Sequence, residues 1–238
     1  REALAAAFSD KTKLILLNNP MNPAAKVFTD DELSFIAELV IAHDAYAVCD
    51  EVYEHIAFDG RGHTPLMTLP GMRDRAIKIG SAGKTFSLTG WKVGYATATP
   101  EVLAPIAKAH QFVTFTTPPN LQKAVAYGLG KDDAYFQGLS DEMQAKRDRF
   151  AVGLNKLGFG VIDCQGTYFM FADFRPLGFD GDDVAFCQHI TTEAGVTAVP
   201  VSAFYLENGP KHFVRFCFSK KNEVLDAAID RLEKHFKG

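Results

Sequence analysis

Three short apolar runs, each closed at its C-terminal end by a polar cluster, constrain this chain more than any other feature. Lys13-Leu-Ile-Leu-Leu17 runs into Asn18-Asn19-Pro20-Met21-Asn22-Pro23, Ala45–Cys49 ends at Asp50, and Ala76–Ile79 ends in Gly80-Ser81-Ala82-Gly83-Lys84. Apolar runs of this length, bounded by turn formers, read as buried strands. Between the first two, Thr29 and Glu32 form a capping box, and Leu33, Ile36, Ala37, Val40 and Ile41 follow at helical spacing. Strand, helix, strand and a further crossover predict an α/β fold, a mostly parallel sheet with flanking helices. In open sheets of this kind ligands bind beyond the carboxyl ends of the strands. Asn22, Asp50 with Tyr53, and Ser81 with Lys84 are therefore expected to converge on one edge.

The remaining pattern predicts a strand over 93–98 and a helix over 101–112, stopped by Thr116-Thr117-Pro118-Pro119. Residues 121–157 read as helical and as the connection between two domains. Beyond them the pattern predicts strands near 160–162, 168–174, 196–199 and 213–218, with helices over 182–194 and 222–236. The expected division is a large domain within 1–120, a joining helix over 121–157 and a smaller α+β domain over 158–238. The chain opens at Arg1 on an Ala-rich helical stretch that leads into a strand, which reads as the interior of a domain.

Charge excludes some partners. The net charge is -4, acidic and basic residues interleave, and there is no basic stripe, so neither nucleic acid nor an anionic membrane is expected as a partner. No apolar run reaches bilayer-spanning length. The four cysteines are widely spaced without a C-x-x-C pair and read as buried reduced thiols of a cytoplasmic protein. The seven histidines show no metal-ligand spacing, so no metal is expected.

Each motif alone has a plain structural reading. The Asn-Pro segment is also a good turn, Asp50 and Glu51 suit a cap, and Lys84 suits an exposed loop. Gly80–Thr85 resembles the end of a phosphate-binding P-loop, but that motif needs a glycine where Lys78 stands, and Thr89-Gly90 interrupts the helix it requires. On the strand around 213–218, Arg215 shares a face with Phe213 and Cys217, so it is either ion-paired inside the fold or lines a pocket.

Taken together, Asn19-Pro-Met-Asn-Pro23, Cys49-Asp-Glu-Val-Tyr53, Ser81-Ala-Gly-Lys-Thr-Phe-Ser-Leu-Thr-Gly-Trp-Lys-Val-Gly-Tyr95 and Val214-Arg-Phe-Cys-Phe218 resemble the class I/II aminotransferases, the fold-type-I enzymes that use pyridoxal 5'-phosphate. Val199–Tyr205 and the Arg215 segment are most similar to the kynurenine and glutamine–phenylpyruvate transaminase branch. The resemblance implies a ping-pong transfer of an amino group between an amino acid and a 2-oxo acid through a Schiff base on Lys84. It further implies that Asp50 pairs with the pyridine nitrogen, Tyr53 and Asn22 bond the ring's phenolic oxygen, and Ser81 and Lys92 hold the phosphate. Arg215 would grip the substrate carboxylate through two parallel hydrogen bonds. A homodimer is implied, as is a preceding segment that supplies part of the sheet and further cofactor contacts.

Two departures stand out: Ala24-Ala25 replaces the usual Thr-Gly or Ser-Gly, and Lys92 stands where many relatives carry arginine, losing the bidentate fork. A cysteine-conjugate β-lyase with the same cofactor and a non-enzymatic ligand-sensing domain on the same fold are the alternative functions. Phe112, Phe115, Phe204 and Tyr205 are either core or the lining of a pocket for large apolar side chains.

Overall fold

The apolar runs become strands because alternate residues find a helix to pack on. The structure is a computed structural model that describes all residues, Arg1–Gly238. By its internal contacts the chain divides into two compact units. The first comprises residues 1–20, 27–55 and 62–137, and the second 21–26, 56–61 and 138–238.

In the first unit, a short helix α1 (Glu2–Ala7) precedes β1 (Leu14–Asn18), α2 (Asp30–Ala42), β2 (Tyr46–Asp50), β3 (Ala76–Ser81), a single helical turn α3 (Ala82–Thr85) and β4 (Gly94–Thr97). The sheet order is β1-β2-β3-β4. β1, β2 and β3 run parallel and β4 is antiparallel to β3. Thr29 Oγ1 accepts from the Glu32 amide while Glu32 accepts from the Thr29 amide, the reciprocal cap expected from the sequence. Behind that cap, α2 buries Leu33, Ile36, Ala37 and Val40 in one core with Leu17, Ala45, Ala47 and Cys49. The β2–β3 crossover contains only a 3-10 turn, Leu66–Thr68.

β1 is not buried on both faces as its apolar run suggests. Leu14 is 50% and Leu16 75% exposed. Ile15 and Leu17 face α2, whereas Leu14 and Leu16 pair in register with Tyr46 and Val48 on a face that this chain leaves open. The unit continues through α4 (Pro100–Val113), which buries none of its side chains, and α5 (Pro119–Leu129). The expected single helix over 121–157 is two helices. Gly130 ends α5, and Asp132 accepts from the Tyr135 amide at the start of α6 (Asp133–Leu157).

The second unit takes in α6 from Gly138 onward, then β5 (Gly160–Val161), β6 (Phe169–Asp173), α7 (Asp183–Glu193), β7 (Val199–Pro200), β8 (Phe213–Cys217) and α8 (Asn222–Lys237). Its sheet is antiparallel, in the order β5-β6-β8-β7. The strand expected over 196–199 is only two residues long, Val199–Pro200, which pair with Arg215 and Val214, and a 3-10 turn, Val201–Phe204, follows it. Aromatic rings fill the core: Phe174 stacks on Phe186 at 4.2 Å, and Phe159 meets Phe216 edge-on at 5.8 Å. Arg147 is the buried cation of this unit. It forks onto Asp59 through two bonds of 2.7 Å and donates to the Cys164 carbonyl at 2.8 Å.

Candidate active site

Five of the seven sequence-predicted residues lie in the first unit, at the carboxyl ends of its parallel strands. Asp50 is the last residue of β2, paired in register with Asn18 of β1 and Ile79 of β3. Its half-buried carboxylate accepts from the Val52 amide at 3.3 Å, and its carbonyl accepts from the Asn19 amide at 3.0 Å and Asn18 Nδ2 at 2.9 Å. Those bonds hold the strand end rigid and aim a carboxylate out of it. Tyr53, in the turn that follows, is only 3% exposed, and Lys84 Nζ lies 5.8 Å from its ring centroid. β1, β2 and β3 run parallel, so Asp50, Tyr53, Ser81 and Lys84 follow the carboxyl ends of β2 and β3, whereas Asn22, expected with them, falls in the second unit.

The loop after β3 forms a concave cradle. A cavity of about 290 Å³ is lined by Ser81, Gly83, Lys84, Thr89, Lys92, Val93 and Gly94. Two ammonium groups and two hydroxyls around one small cavity suit a compact anion. Close backbone approach makes the cradle: a Cβ on Gly83 would stand 3.0 Å from Thr89 Cα and 3.4 Å from Ser81 Oγ. Lys92 closes it from a left-handed backbone position, φ +55°.

Asn22 and Arg215 lie in the second unit. Arg215 projects from β8 on the face opposite buried Val214 and Phe216. Its Nη1 donates to Asn22 Oδ1 at 2.7 Å. Its guanidinium sits 4.0 Å from the Phe169 ring centroid and 4.8 Å from that of Phe204. The guanidinium is thus bordered by an amide oxygen and two aromatic faces. The Asn22 loop is anchored through Ala25, whose carbonyl accepts from the amides of Gln165 and Gly166 at 2.8 and 3.1 Å. Ala25 has φ +58° and is 1% exposed. That left-handed conformation suits glycine, the residue expected there, and an alanine bears a strain of roughly 1–2 kcal/mol.

Comparison with known proteins decides the family. The family model described as aminotransferase class I and II matches residues 1–232. The chain belongs to the class I and II aminotransferases. It is 43% identical over 256 residues to a kynurenine–oxoglutarate transaminase of Dictyostelium discoideum, covering 98% of this chain and 59% of that protein. It is 38% identical to a methionine aminotransferase of Escherichia coli, covering 98% and 60%. The solved structure of N-succinyldiaminopimelate aminotransferase from Mycobacterium tuberculosis superposes with a TM-score of 0.93 at 41% identity, covering 98% of this chain and 61% of that one. The chain therefore spans about three-fifths of the length of the curated relatives it matches.

The family works with pyridoxal phosphate, and the residues present fit that group. The Ser81–Lys92 cradle matches a phosphate in charge, and Lys84 borders it. Sequence reasoning missed Thr89 and Gly83 as cradle residues. Both lie within the Ser81–Tyr95 motif, which held the signal. It also missed the buried ion cluster behind Asp50, formed by Glu51, Glu54, His63 and Lys78. Phe112 and Phe115 are 86% and 73% exposed, so neither is core; Phe204 and Tyr205 are half exposed. A larger cavity, about 400 Å³, lies between β8 and α8 and includes none of the predicted residues, so size alone does not mark this aminotransferase site.

Proposed function

We propose that this chain is the cofactor-holding part of an enzyme that moves an amino group between an amino acid and a 2-oxo acid in two alternating half-reactions. The observation that carries the reading is the cationic cradle of Ser81, Thr89 and Lys92, with Lys84 on its border beside the buried Tyr53. Family membership supplies the reaction class.

When bound, pyridoxal phosphate supplies an electron-withdrawing ring that stabilises negative charge at the substrate α-carbon. Ser81, Thr89 and Lys92 bind its phosphate. The Asp50 carboxylate would pair with the ring nitrogen and favour its protonated form. Tyr53 and Asn22 donate to the ring's phenolic oxygen. Lys84 would hold the cofactor, and its Nζ would take a proton from the substrate α-carbon and return it. Arg215, already tied to Asn22 and flanked by Phe169 and Phe204, binds the substrate carboxylate. In this reading residues 1–120 serve the cofactor-binding domain, 121–157 join it to the C-terminal domain, and 158–238 form the latter. The working enzyme is a cytoplasmic homodimer acting on aromatic, methionine-like or glutamine-like donors.

Borohydride reduction of the full-length, cofactor-loaded protein, followed by peptide mapping, tests the reading. A phosphopyridoxyl group on Lys84 is the expected result. A loaded protein without that adduct refutes it.

A further inference from the structure

The residues that alternate with Asp50 and Tyr53 point away from the proposed cofactor position, into a buried cluster of charges. Glu51 is 2% exposed and His63 5% exposed. His63 Nε2 donates to Glu51 Oε2 at 2.9 Å, and the Leu66 amide donates to Glu51 Oε1 at 3.3 Å. His63 Nδ1 is buried with no hydrogen-bond partner, so the ring grips through one nitrogen only. One turn on, Glu54 is ion-paired with Lys78 of β3 and accepts from Tyr95 Oη of β4 at 3.3 Å. Lys78 Nζ also lies 3.9 Å from Glu51. His55 stacks on Phe136 at 4.3 Å, with its Nε2 3.9 Å from Glu54; burial holds its pKa down against the pull of Glu54.

The three oxygen and nitrogen ligands of Glu51, Glu54 and His63 lie within 4.8 Å of one another, which is metal-site spacing. The Lys78 ammonium already sits against both carboxylates, so the cluster contains its own cation. The sheet is also shaped for this contact: a Cβ on Gly80, the register partner of Tyr95, would stand 2.2 Å from Tyr95 Cε2 and 2.6 Å from its Oη. Glycine at position 80 is what lets the Tyr95 ring cross β3 to reach Glu54.

We propose that Glu51 and Glu54, held by His63, Lys78 and Tyr95, form a positioning network that sets the Asp50–Tyr53 turn for the cofactor. This inference rests on the site reading above. An apolar anchor would tolerate a slide of the turn, whereas here any slide separates buried charges from their partners, which is costly in a site with little water. The Glu54 amide donating to the Glu51 carbonyl at 2.9 Å makes the two anchors one rigid turn. Asp50 and Tyr53 are therefore placed through the side chains of their neighbours in the turn.

The test compares His63→Leu, which removes the Glu51 contact, with His63→Gln, whose terminal amide restores a donor at the Nε2 position. In the full-length protein without cofactor, amide hydrogen exchange at Glu54 and Leu66 accelerates at least about tenfold in the leucine variant and returns towards wild type with glutamine. In the loaded protein, kcat for the amino-acid half-reaction falls about 10- to 100-fold in the leucine variant while KM stays within about threefold, since positioning is lost and the carboxylate grip is not. A folded His63→Leu protein that carries the Lys84 adduct and shows wild-type exchange and kcat overturns the proposal. A wild-type protein lacking the Lys84 adduct overturns the site reading instead, and the exchange comparison then still decides whether the network holds the turn. If the leucine variant does not fold, Tyr95→Phe, which removes only the 3.3 Å bond to Glu54, is read by the same two measurements.

Discussion

Replacing Arg215 with lysine keeps the charge and removes the geometry. The arginine has five N–H donors, so one bond to Asn22 and a two-point grip on a carboxylate fit on the same side chain. Lysine offers one point charge, losing one charge-assisted hydrogen bond, about 1.5–3 kcal/mol. It also loses the flat contacts with Phe169 at 4.0 Å and Phe204 at 4.8 Å, about 0.5–1 kcal/mol together at this half-exposed position. The sum, about 2–4 kcal/mol, corresponds to a roughly 30- to 800-fold loss of kcat/KM. Single-turnover kinetics of the loaded, full-length enzyme would measure it with an amino acid and with the corresponding amine that lacks the carboxylate. The variant should lose activity towards the amino acid and change little towards the amine. A loss below tenfold for the amino acid, or an equal loss for both compounds, refutes the carboxylate role of Arg215.

Gly83→Ala places a methyl 3.0 Å from Thr89 Cα, so the cradle must widen; cofactor affinity should fall at least about tenfold with little change in melting temperature, as read by fluorescence titration of cofactor-free protein. Arg147→Met leaves the Cys164 carbonyl without its donor and Asp59 without its fork, and should cost about 2–4 kcal/mol in urea unfolding, the exposed side of Asp59 limiting the loss. The guanidinium beside Asp59 holds its carboxyl below the usual carboxylate range. A depressed folded pKa contributes stability above the unfolded value of about 4, and that contribution disappears as pH falls through the folded pKa. The variant should therefore show a shallower acid limb; an unchanged one removes the pair from the account. Burial pushes the thiols of Cys49, Cys164 and Cys187 up to about 12, with Glu51 adding to the effect at Cys49. At pH 8 iodoacetamide should thus label half-buried Cys217 first, which peptide mapping can check.

The order of strands and the place of the candidate residues at the strand ends were legible because both depend on local signals. A polar cluster at the end of an apolar run marks the exit of a parallel strand whatever packs around it, and the capping box at Thr29 needs only its own four residues. Helix ends were less legible. The break at Gly130–Asp132 depends on one cap, and β7 keeps only Val199 of the four residues the pattern predicted, adding Pro200. The exposed face of β1 was misread because an apolar run does not say whether both of its faces are covered.

The sequence by itself determined the family, the parallel units and the strand-end positions of Asp50 and Ser81, since motif identity and strand-end position survive without coordinates. Only the tertiary structure decided what surrounds them. It placed Thr89 and Gly83 in the cradle, put Asn22 against Arg215, and brought Lys78, His63 and Tyr95 to the back of the Asp50 turn. Asn22 and Arg215 stand 193 positions apart in the chain, and Glu54 and Tyr95 stand 41 apart. Contacts at such separation arise from how elements pack, and a buried charge shows its partner only when the backbone has closed around both.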